Sequence, residues 1–288
     1  RDVAPSRGLG DVYKRQSLHL AKYVALVFPK FLLNTPEFST TRAELAQKSV
    51  DAILDFGEKG FPGILVETIA IFINNLAAPA NTRVFSLTHR LHLTQPQAYI
   101  FDPELPYWII YRNQLFDSVC RKLDFDVFEV FRDRQLTNKL LSSSGELRVL
   151  KSRNLSDDGK EILDIPGYDS YISYAAAKPL SVFQYLDAPN VYLTPNMTYK
   201  PRMMKKPPHC VVNGSLAILI PKGGIVPTEK QLAYFSSEEY RAFYQIARNF
   251  QTRSLNVDAC SVFFYGLLRD EAKPAPEKFD TSVQLSFL

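Results

Sequence analysis

The residues with the plainest chemistry are cations set among amides and hydroxyls. Over 196–253 the bases are Lys200, Arg202, Lys205, Lys206, Lys222, Lys230, Arg241, Arg248 and Arg253. Only Glu229, Glu238 and Glu239 oppose them, a local charge of +6 in a chain whose total is +4. A second basic stretch carries Arg132, Arg134, Lys139, Arg148, Lys151 and Arg153. Such side chains neutralise phosphates and reach base edges, which is the chemistry of a nucleic-acid reader. From charge alone, a solvated basic surface with no ligand is an equal reading.

Other signatures are sparse. The chain has no Gly-x-Gly-x-x-Gly after a strand, no Walker loop and no Gly-x-Ser-x-Gly elbow. His89 and His92 are three apart and fit one helix face, but no third ligand lies near them, so a metal site is not expected. Asp157-Asp158 and Glu238-Glu239 read as solvated or helix-start acids. Cys120, Cys210 and Cys260 lie far apart, which excludes a disulfide framework or zinc ribbon and fits a reducing cytosol.

These residues need elements to position them. Tyr23-Val-Ala-Leu-Val-Phe28 is an apolar run stopped by Pro29, as a central strand is. Thr41-Arg-Ala-Glu44 has capping-box spacing and opens a helix through Lys48. Val50–Phe56 and Ile64–Ile73 read as two further strands. The order is that of the tail of an α/β sheet rather than a complete one. A more aromatic and polar texture starts near Pro79, so a domain boundary is placed at 77–82. Beyond it, 115–123 and 237–247 read as helices, the latter with Tyr240, Phe243 and Tyr244 on one face. Residues 142–167 alternate short strands and turns, and 211–220 reads as one strand.

The 288 residues, 46% of them hydrophobic, suffice for one large or two ordinary domains and exclude a disordered tail. No apolar run reaches transmembrane length: Pro29-Lys30 breaks one and Glu67 another. The first residue is Arg1, and the segment 1–16 lacks apolar periodicity. Its end, Asp11-Val-Tyr-Lys-Arg-Gln16, resembles translated adapter sequence, against the plainer alternative of a basic surface arm. The chain thus reads as 1–16 non-native, 17–78 and 79–271 as two domains, and 272–288 as a loose tail. It is read as a fragment lacking its N-terminal part.

The order of features over 17–74 resembles the end of the catalytic domain in adenine-specific DNA methyltransferases of type II restriction–modification systems. Val24-Ala-Leu-Val-Phe-Pro-Lys-Phe-Leu-Leu33 matches a strand ending in Pro before a hydrophobic segment. Ile53-Leu-Asp-Phe-Gly57 matches the family's next strand, and Gly60-Phe-Pro-Gly-Ile-Leu-Val-Glu-Thr-Ile-Ala70 its turn and strand. The remainder resembles the target-recognition domain. Stretches that carry the likeness begin Phe131-Arg-Asp-Arg, Leu147-Arg-Val-Leu and Asn249-Phe-Gln-Thr-Arg.

The resemblance implies an α/β fold, the C-terminal part of a Rossmann-like sheet followed by an α+β recognition domain. It implies methyl transfer from S-adenosylmethionine to N6 of an adenine flipped out of double-stranded DNA. The family's (Asn/Asp/Ser)-Pro-Pro-aromatic loop has no match, since the sole Pro-Pro, Pro207-Pro208, lies between Lys206 and His209. That loop and the Gly-containing cofactor loop precede Ser17 in the family order, so the cofactor is expected to bind the missing N-terminal part and the fragment alone to be inactive. Phe61 matches the aromatic that packs on the flipped base; a loop Phe covering the sheet end is the alternative. Arg132, Arg134, Lys151, Arg153, Arg202, Lys205, Lys206 and Arg253 are the expected DNA contacts. A cognate endonuclease, separate or fused upstream, is a partner such systems can contain; the expected compartment is a prokaryotic cytoplasm, with no membrane. A non-enzymatic DNA-specificity subunit is the competing reading.

Overall fold

In the computed structural model, residues 16–18, 20–61, 63, 65–252 and 256–270 are described. The expectations for 1–15 and 272–288, and the candidate Arg253, lie outside the described residues. Two compact units result: one holds the described residues up to Arg112 together with 249–252, the other Asn113–Arg248 and 256–270.

The first unit is a mixed five-stranded sheet in the order β1-β3-β2-β4-β5. Its strands are β1 (Tyr23–Pro29), β2 (Ser49–Gly57), β3 (Thr68–Asn74), β4 (Asn81–Ser86) and β5 (Leu91–Pro96). Strand β3 is antiparallel to both β1 and β2, β2 and β4 are parallel, and β5 is antiparallel to β4. The unit is therefore α/β in class, with β1, β2 and β4 running one way and β3 and β5 the other.

Strand periodicity of two sorts the side chains into faces. Leu26, Ile71, Ile53, Val84 and Leu93 form one cross-strand row, and all but Leu26 are buried. The core of the unit also takes Leu32, Leu33, Leu45 and Ile100, each fully buried and worth about 1.5–3 kcal/mol. The opposite face carries the row Val27, Ala70, Leu54, Phe85 and His92. There Val27 is 55% exposed, and Tyr23 and Phe72, 67% and 40% exposed, line a hollow of about 560 Å³. Among the described residues β1 has a strand on one side only. It is an edge and not the central strand its continuous apolar run suggests: composition reports tolerance of burial, and pairing decides position.

Two other expectations shift here. Helix α1 (Ser39–Ala46) starts before the capping-box position, so Thr41 lies buried inside it and Phe38 precedes it without a side-chain cap. Its entry is held instead by buried Arg42, which donates to Leu32 O at 2.7 Å and Thr35 O at 2.8 Å. The segment 77–82 does not end the unit, because Ala52–Asp55 in β2 pair with Arg83–Ser86 in β4 and carry the sheet across it. Pairing over long sequence separation overrode the local change in texture.

The second unit contains a four-stranded antiparallel sheet in the order β11-β10-β13-β7 and a three-stranded sheet in the order β12-β8-β9. The strands are β6 (Leu123–Asp124), β7 (Phe128–Phe131), β8 (Leu147–Leu150), β9 (Ser170–Ile172), β10 (Tyr192–Pro195), β11 (Met204–Lys205), β12 (Cys210–Val212), β13 (Leu216–Pro221) and β14 (Leu267–Leu268). A long-range two-stranded antiparallel pair joins β14 to β6. The expected single strand at 211–220 is two strands in different sheets, broken where Asn213 Oδ1 accepts from Ser215 N and Oγ and turns the chain. Helices α2 (Gln114–Lys122) and α3 (Glu238–Ala247) are capped by Asn113 and Ser237. Their apolar faces meet with Phe116 stacked on Phe243 at 5.0 Å, and Tyr240, Phe243 and Tyr244 are buried as their spacing predicts.

Candidate functional site

In the first unit, the carboxyl ends of β1, β2 and β4 converge on a buried charge cluster. Pro29 ends β1, and the next residue, Lys30, starts a short 3-10 turn with its side chain 2% exposed. A buried ammonium needs anions, and it has two: Lys30 Nζ lies 2.7 Å from Asp55 Oδ2 and 3.7 Å from Glu67 Oε1. Asp55 precedes the β2–β3 loop and Glu67 is its last residue, so a single cation ties both ends of that loop. Asp55 Oδ1 also accepts from Gly57 N at 2.9 Å. Gly57 has φ +56, and a Cβ there would sit 2.2 Å from Thr88 Oγ1, so glycine is required.

Two further groups close the cluster. Tyr111 Oη donates to Asp55 Oδ2 at 2.5 Å. Burial, reinforced by the Asp55 charge and this bond, holds the phenol well above its ordinary pKa, so it stays a neutral donor. The segment 249–252 pins the loop from outside: Thr252 N donates to Glu67 Oε2 and Thr252 Oγ1 to Glu58 Oε1. Asn249 and Phe250 adopt left-handed φ of +50 and +51. Two side-chain bonds offset that strain: Asn249 Nδ2 donates to Trp108 O, and Asn249 Oδ1 accepts from Ile110 N. The Phe250 ring then lies 4.8 Å from His89 and 5.2 Å from Tyr111.

His89 sits on the exposed β4–β5 turn. Partial burial lowers its pKa first and the Lys30 charge second, against opposing Asp55 and Glu67, which favours neutral imidazole. It shares no helix with His92, which lies on β5 and stacks on Phe85 at 4.4 Å. No group of three or more metal-ligating side chains is found among the described residues.

Phe61 projects from the loop that Lys30 secures, 45% exposed. Gly60 precedes it at a place where a Cβ would meet Thr68 Oγ1 at 2.3 Å, and Gly63 follows at φ +78. Leu65 and Val66 on the same loop are also exposed. The carboxylates are neutralised and hydrogen-bonded, so this end offers aromatic and apolar surface with one neutral imidazole, suited to stacking rather than to general acid–base work. Sequence reasoning did not assign roles to Lys30, Asp55, Glu67, Tyr111, His89 or Phe250. Lone charges inside apolar runs were the signal, since a buried charge demands a partner.

In the second unit the structure sorts the basic candidates. Arg202 is 8% exposed and donates to the carbonyls of Lys200, Ser152 and Leu155. Lys206 is 4% exposed and donates to Leu186 O and Pro207 O. Both hold the chain together from inside and are withdrawn from any external ligand. Lys200, Lys222 and Arg241 are bridged to Asp157, Asp126 and Glu238. The +6 of 196–253 is thus largely spent within the fold. Lys205 is exposed on β11, Arg134 and Arg153 are exposed, and Arg132 and Lys151 are half-buried.

No family model matches the chain, and no curated protein matches it. Among solved structures, the type IIG restriction endonuclease BpuSI is similar to 85% of this chain with a TM-score of 0.31 and 9% identity. The chain spans 39% of the length of that protein. No helix among the described residues is long and apolar enough to cross a membrane.

Proposed function

We propose that the chain is the C-terminal part of a site-specific DNA methyltransferase acting on adenine N6 in a restriction–modification system, its second unit supplying target recognition. The observation that carries the proposal is Phe61, an exposed aromatic on a glycine-bounded loop whose two ends share the Lys30 ammonium. Stacking on an extruded base is worth about 1–3 kcal/mol when the aromatic is held in place beforehand. The loop lies at the carboxyl ends of parallel strands, where open α/β sheets bind ligands.

S-adenosylmethionine supplies the methyl group in this reading, but the residues present do not fit it. The polar atoms of the strand-end cluster are engaged with one another, and the chain lacks the Gly-containing loop. What this chain contributes is the stacking ring, the neutral surface around it and the recognition unit.

Mapping N6-methyladenine in a host that expresses the complete reading frame tests the proposal. One recurrent sequence context should be methylated, and Phe61→Ala should lower that methylation at least tenfold while DNA affinity changes little. An unmethylated genome overturns the enzyme reading, and methylation that requires a separate methylase establishes the specificity-subunit alternative.

A further inference from the structure

Three segments far apart in sequence meet around one turn, residues 213–215 between β12 and β13. On one side a Cβ at Gly214 would lie 2.8 Å from Asp133 O, so only glycine allows the segment carrying Arg132 and Arg134 to approach. On the other, Ser152 N donates to Ser215 Oγ at 2.9 Å, which places Arg153 beside the same turn. Asn196 fastens the turn from below, its N donating to Ser215 O and its Nδ2 to Gly214 O.

Among the described residues Arg134 and Arg153 form no ion pair, and both are exposed. Arg153 Cζ lies 4.7 Å from the Tyr168 ring centroid, and Lys151 Nζ lies 3.9 Å from the same ring. The stack orients the Arg153 guanidinium, so less side-chain freedom is lost on meeting an anion. Asp133 is turned inward, accepting from Gln135 N and Leu136 N, and leaves Arg132 and Arg134 without an ion pair among the described residues. Burial first and the Arg134 charge second push Arg132 below its ordinary pKa, with Asp258 opposing.

We infer that the 213–215 turn, flanked by Arg134 and Arg132 on one side and by Arg153 on the other, seats the phosphodiester backbone of double-stranded DNA. This rests on the DNA-recognition reading above and assigns the contact to this turn rather than to the more basic stretch 196–253.

The test is the affinity of the full chain for a short mixed-sequence DNA duplex, followed by fluorescence anisotropy. Each phosphate contact adds about 0.9 to the slope of log Kd against log salt. Arg134→Gln with Arg153→Gln should therefore lower the slope by about 1.8 and shrink the rise in Kd between about 50 and 200 mM salt roughly tenfold. Arg134→Lys with Arg153→Lys should restore most of the slope, and Arg241→Gln should leave it unchanged. If the parent binds DNA and the double Gln variant keeps its slope, the seat is elsewhere and the DNA reading survives. If the parent binds no duplex, both fall. A preference for RNA over DNA of the same length also overturns the assignment.

Discussion

Lys30 and Arg153 are both cations beside an aromatic ring, and the two units use them in opposite ways. In the first unit Lys30 is enclosed, paired with Asp55 and Glu67 and set 5.9 Å from the Tyr111 ring centroid. In the second, Arg153 leans on Tyr168 and keeps its charge open to solvent. The first arrangement fixes a loop and the second waits for an anion. Residue type does not separate them; the presence of an acid within reach does.

Replacing Lys30 by Met should have the largest effect. It leaves two carboxylates buried without their cation, which costs about 3–5 kcal/mol. Denaturant unfolding monitored in the first unit should register that loss, and Lys30→Met combined with Asp55→Asn and Glu67→Gln should recover part of it. A wild-type stability for Lys30→Met alone would erase the contrast with Arg153. Arg202→Met probes the opposite error, a basic residue that looks like a ligand contact and is not. It should destabilise the second unit by about 1–3 kcal/mol, since three carbonyls lose a charged donor. The salt slope of DNA affinity should stay at the parent value; a slope lowered by about 0.9 would return Arg202 to the DNA surface.

The smallest effect sharpens the account of the strand-end cluster. His89 has a folded-state pKa below its unfolded value of 6.5. Its unfolded form therefore takes up protons first, so stability present above 6.5 declines as pH falls through the folded pKa. His89→Gln should flatten that acid-side decline. An unchanged profile between the two proteins would show that neither burial nor the Lys30 charge disfavours the imidazolium.

How much of this was legible follows from the kind of signal each feature left. Strands β1 and β2 and helix α3 announced themselves because their signals are local: 23–28 is a continuous apolar run stopped by Pro29, and Tyr240, Phe243 and Tyr244 repeat at helical spacing. The edge position of β1, the extension of the sheet past 77–82 and the division of 211–220 between two sheets were not local. Each depends on partners such as Arg83–Ser86 and Leu147–Leu150 that no window of sequence contains. The sum of charge over 196–253 misdirected for the same reason. It counts Arg202 and Lys206, which serve carbonyls inside the fold, and Lys200, whose acid lies at Asp157. In the smaller group Arg134 and Arg153 are exposed, and Asp133, next to Arg134 in the chain, faces inward.

The outer row of β1 has a practical consequence for anyone preparing the protein. Tyr23, Ala25 and Val27 line a strand with no charged residue from 23 to 29, and among the described residues no strand pairs with its far edge. Such an edge is a template for another strand, and natural proteins guard against it with an inward lysine or a bulge. Produced alone, the chain should self-associate in a concentration-dependent way through this edge. Val27→Lys should hold it monomeric in sedimentation velocity, and an unchanged sedimentation profile would place the sticky surface elsewhere.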